Sequence, residues 1–255
     1  MNSFGQINLK YHKCNLQNGN FGDEMSPLLI EKMTGRQVIN STATREVSLI
    51  AIGSYIQMAR DNDIIWGSGV RTINQPCNYK NLNVRAVRGP ITKKYLESKN
   101  IEVPTIFGDP ALLFPYYFDI QENTDYLDKI GLIPHYTSLD FYKNLKLSSN
   151  IKIISPLEDP ITVLSNIKSC NYIISSSLHG LIMADCFNKP NFWLYDKKLN
   201  EGTLKFEDYF ASQNRQVRMF NYIDSILKSN CDEYGNKINL NLLIEAFPQE
   251  LVEKY

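Results

Sequence analysis

The stretch NYIISSSLHGLIMADCFNKPNFWL (Asn171–Leu194) contains two strand patterns on either side of one helix pattern. Its segments Tyr172–Ser175 and Phe192–Leu194 are short and apolar on both faces, which predicts buried strands. Between them, His179–Asn188 carries apolar residues at helical spacing and predicts a helix. A strand, a helix and a second strand in this order form a parallel β–α–β unit, so the sequence predicts an α/β fold.

The same alternation of strands and helices runs along the chain in two series. Further strands are predicted at Ile7–Tyr11, Val38–Ile39, Asp63–Trp66 and Val84–Val87 in the first series, and at Lys129–Ile133 and Ile151–Ile154 in the second. Helices are predicted at Ser26–Met33, Pro90–Ser98, Leu139–Leu145, Asp159–Ser169, Phe206–Ser212, Tyr222–Ser229 and Leu240–Lys254. A polar stretch that begins with proline, Pro115–Asp128, separates the two series. We therefore expect two Rossmann-like lobes, residues 1–118 and 119–255, with ligands bound at the carboxyl ends of their strands.

The charge balance and the cysteine content narrow the class of protein. The 255 residues include 27 Lys and Arg against 27 Asp and Glu, so the formal net charge is zero. A dedicated nucleic-acid binder or polybasic membrane-surface binder is therefore not expected. The 5 cysteines are scattered and form no CxxC pair, which indicates a reduced, cytoplasmic setting without a disulfide framework or a zinc site. No apolar run approaches the roughly 18 residues of a membrane span, and the first residues lack the apolar segment of a signal peptide.

His179 lies in the first turn of the predicted helix, directly after the serines Ser175–Ser177. A helix N terminus offers unpaired N–H groups and the positive end of the helix dipole, which favours a bound phosphate or carboxylate. The same dipole disfavours a protonated imidazole, so we expect the basicity of His179 to be lowered unless an anion lies nearby. Serine capping beside a surface histidine is the alternative interpretation, although capping needs only one serine.

Basic and glycine-rich segments follow other predicted strands. Arg88 in VRGP lies between a strand and a helix that begins with proline, and its planar guanidinium matches a carboxylate or a phosphate. A surface arginine beside a turn is the alternative. Arg85 is expected on the opposite side of the strand, so that only one of the two faces a cleft. Lys205 in LKFEDY begins a late helix, where a solvated face is the default interpretation, and the loop Trp66–Val70 (WGSGV) has glycines that permit close approach of a ligand.

Acidic residues and histidines supply the acid–base candidates. Asp109 in FGDPAL precedes a proline and is typical of a helix cap. Asp23 and Glu24 in NFGDE either cap the following helix or face sugar hydroxyls. His135 in GLIPHY follows a strand at the equivalent edge of the second series, whereas His12 is expected to be structural or exposed.

The order of these motifs resembles that of the polysaccharide pyruvyl transferase family. NFGDE, WGSGV, VRGP, FGDPAL, GLIPHY, SSSLHGLIMA, NKP and LKFEDY follow one another between Asn18 and Gln213, and RGP before GDPAL and SSLHGLI before NKP are the most specific pairs. The resemblance implies two Rossmann-like lobes in a GT-B-like arrangement, with the active site in the interlobe cleft, the acceptor on the first lobe and the donor on the second. It also implies transfer of the enolpyruvyl carbons of phosphoenolpyruvate onto a sugar of a capsule, exopolysaccharide or cell-wall polymer, which forms a cyclic pyruvate ketal.

The same resemblance implies roles for individual residues. His179 is the implied catalytic residue, and Arg88, Ser177, Gly180 and Lys205 are the implied donor-binding residues. Many members hold an arginine two residues before the histidine, at the position of Ser177 here. The contact with the donor carboxylate is therefore expected from Arg88, Lys205 or another basic residue.

The acceptor-binding or acid–base candidates are Asp23, Glu24, His135 and Asp109, and the sequence does not choose among them. Ketal formation requires protonation of the methylene carbon of the donor, and histidine is the residue best matched to proton transfer near neutral pH. The negative charge of the donor is expected to raise the basicity of His179. We expect no metal and no cofactor, with phosphoenolpyruvate as the donor substrate.

The expected acceptor is a glycan or a lipid-linked oligosaccharide, which implies peripheral contact with the inner face of the membrane from the cytoplasm. Two alternatives remain on sequence grounds. One is a GT-B-type glycosyltransferase that uses a nucleotide-sugar donor, which the serine in place of arginine supports. The other is a non-catalytic, glycan-binding member of the family, which the short chain also supports.

Overall fold

The strands form two parallel sheets in the computed structural model, which describes residues 5–13, 19–74, 77–197, 202–231 and 233–252. The first sheet contains β1 (Ile7–Leu9), β2 (Val38–Asn40), β3 (Leu49–Ile50), β4 (Ile64–Trp66) and β5 (Asn83–Ala86). The second contains β6 (Ile130–Ile133), β7 (Ile151–Ile153), β8 (Tyr172–Ser175), β9 (Asn191–Leu194) and β10 (Met219–Phe220). All described strand pairs are parallel, which confirms the predicted α/β class with two Rossmann-like sheets.

Both sheets have the same strand order. The first runs β2-β1-β3-β4-β5 and the second runs β10-β9-β8-β6-β7, which is the same pattern counted from its other edge. In this doubly wound order the chain first moves to one side and then to the other, so a crevice opens between the first and third strands of each sheet. The two crevices are therefore expected at the carboxyl ends of β1 and β3 and of β6 and β8.

Most helices follow strands as the alternating pattern predicts. The helices are α1 (Phe21–Thr34), α2 (Pro90–Glu97), α3 (Phe114–Tyr117), α4 (Leu139–Lys143), α5 (Pro160–Ser169), α6 (Leu178–Cys186), α7 (Leu204–Ser212), α8 (Ile223–Ile226) and α9 (Leu240–Glu245). Helix α3 was not predicted, and it begins the stretch that was expected to be a linker. The predicted cap Asp159 accepts hydrogen bonds from the main-chain N–H groups of Ile161 and Thr162. Asp109 likewise caps a short 3-10 helix, Pro110–Leu113, by accepting from the N–H of Ala111. In the described chain no helix is long and apolar enough to cross a bilayer.

Some predicted bounds were wrong. The helix predicted at Tyr222–Ser229 spans only Ile223–Ile226, and the one predicted at Leu240–Lys254 ends at Glu245. Pro248 explains the early end, because proline disfavours helical geometry in the residue before it; residues 253–255 of that prediction lie outside the described residues. The strands β3 and β10 were missed because two residues are too few to show a periodicity.

The strands of the first sheet lie between residues 7 and 86 and those of the second between residues 130 and 220. The C-terminal segment, however, packs against the first sheet: the Trp66 indole N–H donates to the carbonyl oxygen of Leu243 over 2.8 Å, and its ring contacts Phe247 edge to face. The lobe boundary at residue 118 stays a prediction.

Helices α1 and α6 position the site. Apolar residues of both helices belong to one buried cluster, and α1 also packs on α5. The N–H of Phe21, the first residue of α1, donates to the carbonyl oxygen of Pro156 over 2.9 Å. This packing places the N terminus of α1 beside the N terminus of α6.

Candidate active site

A cavity of about 180 Å³ is lined by residues that follow strands of both sheets. The lining residues are His12, Asn20 and Asp23 after β1, Gly53, Ser54 and Tyr55 after β3, Arg71 after β4, His135 and Tyr136 after β6, Ser177, Leu178 and His179 after β8, and Lys205 after β9. Most of them follow the first and third strands of a sheet. These are the positions where the doubly wound strand order opens a ligand-binding crevice.

The turn between β8 and α6 presents the N terminus of α6 to the cavity. Ser177 is the N-cap residue with extended backbone, but its side chain makes no capping hydrogen bond. The hydroxyl of Ser175 instead accepts from the N–H of Ser177 and donates to the carbonyl oxygen of Ser177, both over 2.9 Å. Gly180 packs against that hydroxyl, where a Cβ atom would lie 2.4 Å from the Ser175 oxygen. The lack of a side chain at Gly180 therefore lets α6 pack closely on β8, and Gly180 does not line the cavity.

The imidazole of His179 is held between two segments of the first series. On one side a Cβ atom at Gly22 would lie 2.1 Å from Nδ1, so only glycine fits beside the ring. On the other side Nε2 faces the carboxylate oxygen Oδ2 of Asp109 at 3.9 Å. Phe21 contacts the ring edge to face. The His179 side chain is 12% exposed, and that of Asp109 is fully buried.

Burial shifts the pKa values of this pair in opposite directions. It lowers the pKa of His179 to about 3, with further lowering by the positive charges of Lys205 and Arg88. It raises the pKa of Asp109 to about 6, against the opposing effects of the Ala111 N–H group and of Arg88. The lowered basicity predicted for His179 is confirmed in direction, and its main cause is burial.

Arg88 is fully buried and does not line the cavity. Its guanidinium donates to the carboxylate of Asp208 over 3.1 Å, to the hydroxyl of Ser54 and to the carbonyl oxygen of Val70 over 3.0 Å. A Cβ atom at Gly69 would lie 2.2 Å from the guanidinium carbon, so the glycine of WGSGV faces Arg88. Arg88 therefore reaches the cavity wall through Ser54, and its role in donor binding stays a prediction.

Lys205 lines the cavity from the first turn of α7. The helix is held in place by Asp208, which accepts hydrogen bonds from Arg88 and from the N–H and hydroxyl groups of Thr92. Gly89 allows this approach, because a Cβ atom there would lie 2.1 Å from the main-chain oxygen of Asp208. The motifs VRGP and LKFEDY thus form one structural unit that positions Lys205.

The remaining candidates divide into two groups. Asp23 and His135 line the cavity, and Nδ1 of His135 lies 2.8 Å from the hydroxyl of Thr137. Glu24 does not line it: its carboxylate lies under Gly19, and burial raises its pKa. His12 is exposed, as expected, but lies at the cavity edge.

Sequence reasoning missed several lining residues, namely Asn20, Ser54, Tyr55, Arg71 and Tyr136. Ser54 and Tyr55 follow the two-residue strand β3, which the sequence patterns did not reveal. Arg71 directly follows WGSGV, and Tyr136 directly follows His135. For Arg71 and Tyr136 the position after a predicted strand was the available signal.

Comparison with known proteins identifies the family. The profile described as Polysaccharide pyruvyl transferase matches residues 46–198. The chain is 25% identical over 184 residues to the succinoglycan biosynthesis protein ExoV of Rhizobium meliloti (strain 1021), an alignment that covers 68% of this chain and 55% of ExoV. It is 26% identical over 251 residues to an uncharacterized protein of Acanthamoeba polyphaga mimivirus, covering 92% of this chain and 87% of that protein. No solved structure matches. Since the profile covers more than half of its residues, the chain belongs to the polysaccharide pyruvyl transferase family.

Proposed function

We propose that this protein transfers the enolpyruvyl carbons of phosphoenolpyruvate to a sugar unit of a surface polysaccharide, or of its lipid-linked precursor, to form a pyruvate ketal. The observation that carries the proposal is one cavity in a member of this family, where His179 and Lys205 lie beside the uncapped N terminus of α6. The similarity to a succinoglycan biosynthesis protein supports a polysaccharide acceptor.

The charges around the cavity suit a donor with a phosphate and a carboxylate. Lys205 and Arg71 contribute positive charge to its wall, and the helix N terminus contributes N–H donors. We propose that Arg71 or Lys205 contacts the donor carboxylate in place of the arginine that many relatives carry at the Ser177 position. Arg88 adds buried positive charge behind Ser54.

His179 is the proposed acid–base group. Its proton goes to the methylene carbon of phosphoenolpyruvate, which becomes a methyl group and leaves a cationic centre on the adjacent carbon. Two sugar hydroxyls add to that centre and the phosphate leaves. One hydroxyl proton restores His179, and the other leaves with the phosphate. Asp23 and His135, which line the cavity, are the proposed groups that relay these protons from the sugar hydroxyls to His179 and to the phosphate.

The low pKa of His179 fits this scheme only if the donor raises it. Phosphoenolpyruvate carries several negative charges, and an anion next to the imidazole favours the protonated form. The donor therefore helps to charge its own acid.

We also propose the GT-B-like arrangement for the two sheets, with the cavity as the interlobe cleft. The lining residues support this because they come from both series of strands. We propose that the reaction takes place at the cytoplasmic face of the membrane, where a lipid-linked acceptor is reached by peripheral contact, and that no metal or other cofactor takes part.

The test is incubation with phosphoenolpyruvate and candidate glycans, with phosphate release and the mass gain of a pyruvate ketal as readouts. His179→Ala is expected to lower turnover about 10²- to 10⁴-fold, because a general acid typically supplies that factor. Asp159→Asn is the control, since Asp159 caps α5 and does not line the cavity. Full turnover by His179→Ala would refute the mechanism, and thermal stabilisation by nucleotide sugars but not by phosphoenolpyruvate would favour a glycosyltransferase instead.

A further inference from the structure

Two buried polar atoms without hydrogen-bond partners face each other beside the cavity. They are Nε2 of His179 and Oδ2 of Asp109, which lie 3.9 Å apart. The second carboxylate oxygen of Asp109 accepts from the Ala111 N–H over 3.1 Å. Buried polar atoms in native proteins are nearly always paired, so two opposed unpaired atoms call for an explanation.

Both side chains are held in place from behind. The ring of His179 lies against Gly22, where any side chain would collide with Nδ1. Asp109 is fixed by its capping bond and by the following Pro110, which lies so close to Gly67 that a Cβ there would be 2.4 Å from the proline ring. The 3.9 Å between Nε2 and Oδ2 exceeds a hydrogen bond by less than 1 Å, and no other side chain of the described residues pairs with either atom.

We propose that Asp109 is the positioning residue of His179: its carboxylate accepts a hydrogen bond from Nε2 and thereby leaves Nδ1 to exchange the proton with the substrate. The donor's identity in this inference rests on the proposed function, but the pairing of the two side chains does not. In the working state the proton on Nδ1 goes to the methylene carbon of the donor, and Nδ1 regains a proton from a sugar hydroxyl. Asp109 keeps its negative charge and stabilises the imidazolium that forms between these steps.

The charges around the pair are consistent with this division of roles. Lys205 on α7 and Arg88 after β5 disfavour an imidazolium, so His179 needs a negative partner to carry a proton at all. Asp109 is that partner on the protein side. Burial and the charge of Asp208 oppose the ionised form of Asp109. The N–H groups of Ala111 and Gly53 and the charge of Arg88 favour it.

A structural role alone predicts a different outcome for one substitution. Asparagine caps helices as well as aspartate does and has nearly the same shape. Asp109→Asn therefore keeps the cap on Pro110–Leu113, removes the charge, and replaces the acceptor that faces Nε2 by an NH₂ donor. Asp159→Asn is the matched control, because Asp159 caps α5 in the same way and lies outside the cavity.

The first experiment reads the imidazole directly and needs no substrate. The chain has 3 histidines, so ¹⁵N-histidine spectra are simple, and His12→Gln and His135→Gln identify the His179 signals. In the wild type and in Asp159→Asn we expect His179 to be predominantly the Nε2–H tautomer at about pH 7.5. In Asp109→Asn we expect that preference to be lost. The same tautomer ratio in Asp109→Asn and in the wild type would overturn the proposal.

The second experiment measures turnover of phosphoenolpyruvate. Asp109→Asn is expected to lower kcat at least about tenfold with little change in KM, and to have no further effect when His179 is already alanine. A change in KM alone would contradict a role through His179. If phosphoenolpyruvate is not turned over but the tautomer changes in Asp109→Asn, the proposed function fails and the pairing of Asp109 with His179 stands. If turnover occurs and Asp109→Asn alters neither the tautomer nor kcat, the pairing fails and the proposed function stands.

Discussion

The contact between Gly22 and His179 can be tested by adding one methyl group. Gly22→Ala places a Cβ atom 2.1 Å from Nδ1, 2.6 Å from Cγ and 2.9 Å from Cβ of His179. The collision reaches the base of the side chain, so rotation of the ring tip alone does not relieve it. Overpacking of this kind costs about 1–3 kcal/mol.

An opposite effect acts at the same position. Gly22 is in the first turn of α1, and alanine in a helix is more favourable than glycine by about 0.5–1 kcal/mol. In the wild type we therefore expect Gly22→Ala to lower the free energy of unfolding by up to about 2.5 kcal/mol. In a His179→Gly background all three of these close contacts are absent, and the same substitution should raise the free energy of unfolding by about 0.5–1 kcal/mol.

The assay is a double-mutant cycle of urea unfolding followed by tryptophan fluorescence and circular dichroism. The sign of the Gly22→Ala effect should reverse between the two backgrounds. Equal destabilisation in both would refute the reasoning, because the added methyl group would then collide with something other than His179. Stabilisation in the wild type would show that the ring does not lie against Gly22.

Two further predictions concern the buried charges. Asp208→Ala leaves the Arg88 guanidinium buried without its carboxylate, and should lower the free energy of unfolding by about 3–5 kcal/mol in urea titrations, whereas Asp159→Ala should cost only about 1 kcal/mol for its cap. The second prediction concerns pH. The raised pKa of Asp109 makes folding less favourable as pH rises towards about 6. The lowered pKa of His179 makes folding less favourable as pH falls below 6.5, the ordinary pKa of histidine, so the two effects oppose each other in the wild type. Asp109→Asn removes the effect of the carboxyl group and leaves that of His179. The free energy of unfolding of this variant, relative to the wild type, should therefore fall by about 1.4 kcal/mol per pH unit from about pH 6 to about pH 4. Parallel pH profiles of stability for the two proteins would contradict this.

Much of the architecture is readable from local patterns. Short apolar runs separated by helical periodicity predict parallel sheets, because such strands must be buried on both faces. Capping is equally local, since the side chain bonds to an N–H two or three residues away, and both Asp109 and Asp159 cap as expected. The order of the motifs was sufficient to recognise the family.

Several features of the site depend on packing between distant segments. Arg88 was expected to contact a donor, but whether an arginine faces solvent or a buried carboxylate depends on Asp208, which is 120 residues away in the chain. The strand β3 has too few residues to reveal itself, and it forms because Leu49 and Ile50 pair with the strands on either side. No local pattern contains such information.

His179 shows which features follow from local sequence and which follow from tertiary packing. Local sequence predicts that it lies in the first turn of a helix after a strand, because strand, turn and helix preferences act over a few residues. Its contacts with Gly22 and Asp109 arise only when α1 and the 3-10 helix Pro110–Leu113 pack beside α6, since these residues are far apart in the chain. The same packing buries the ring, and burial is the main reason that its pKa falls to about 3. The sequence thus identifies the candidate residue, while the tertiary structure determines its partners and its protonation.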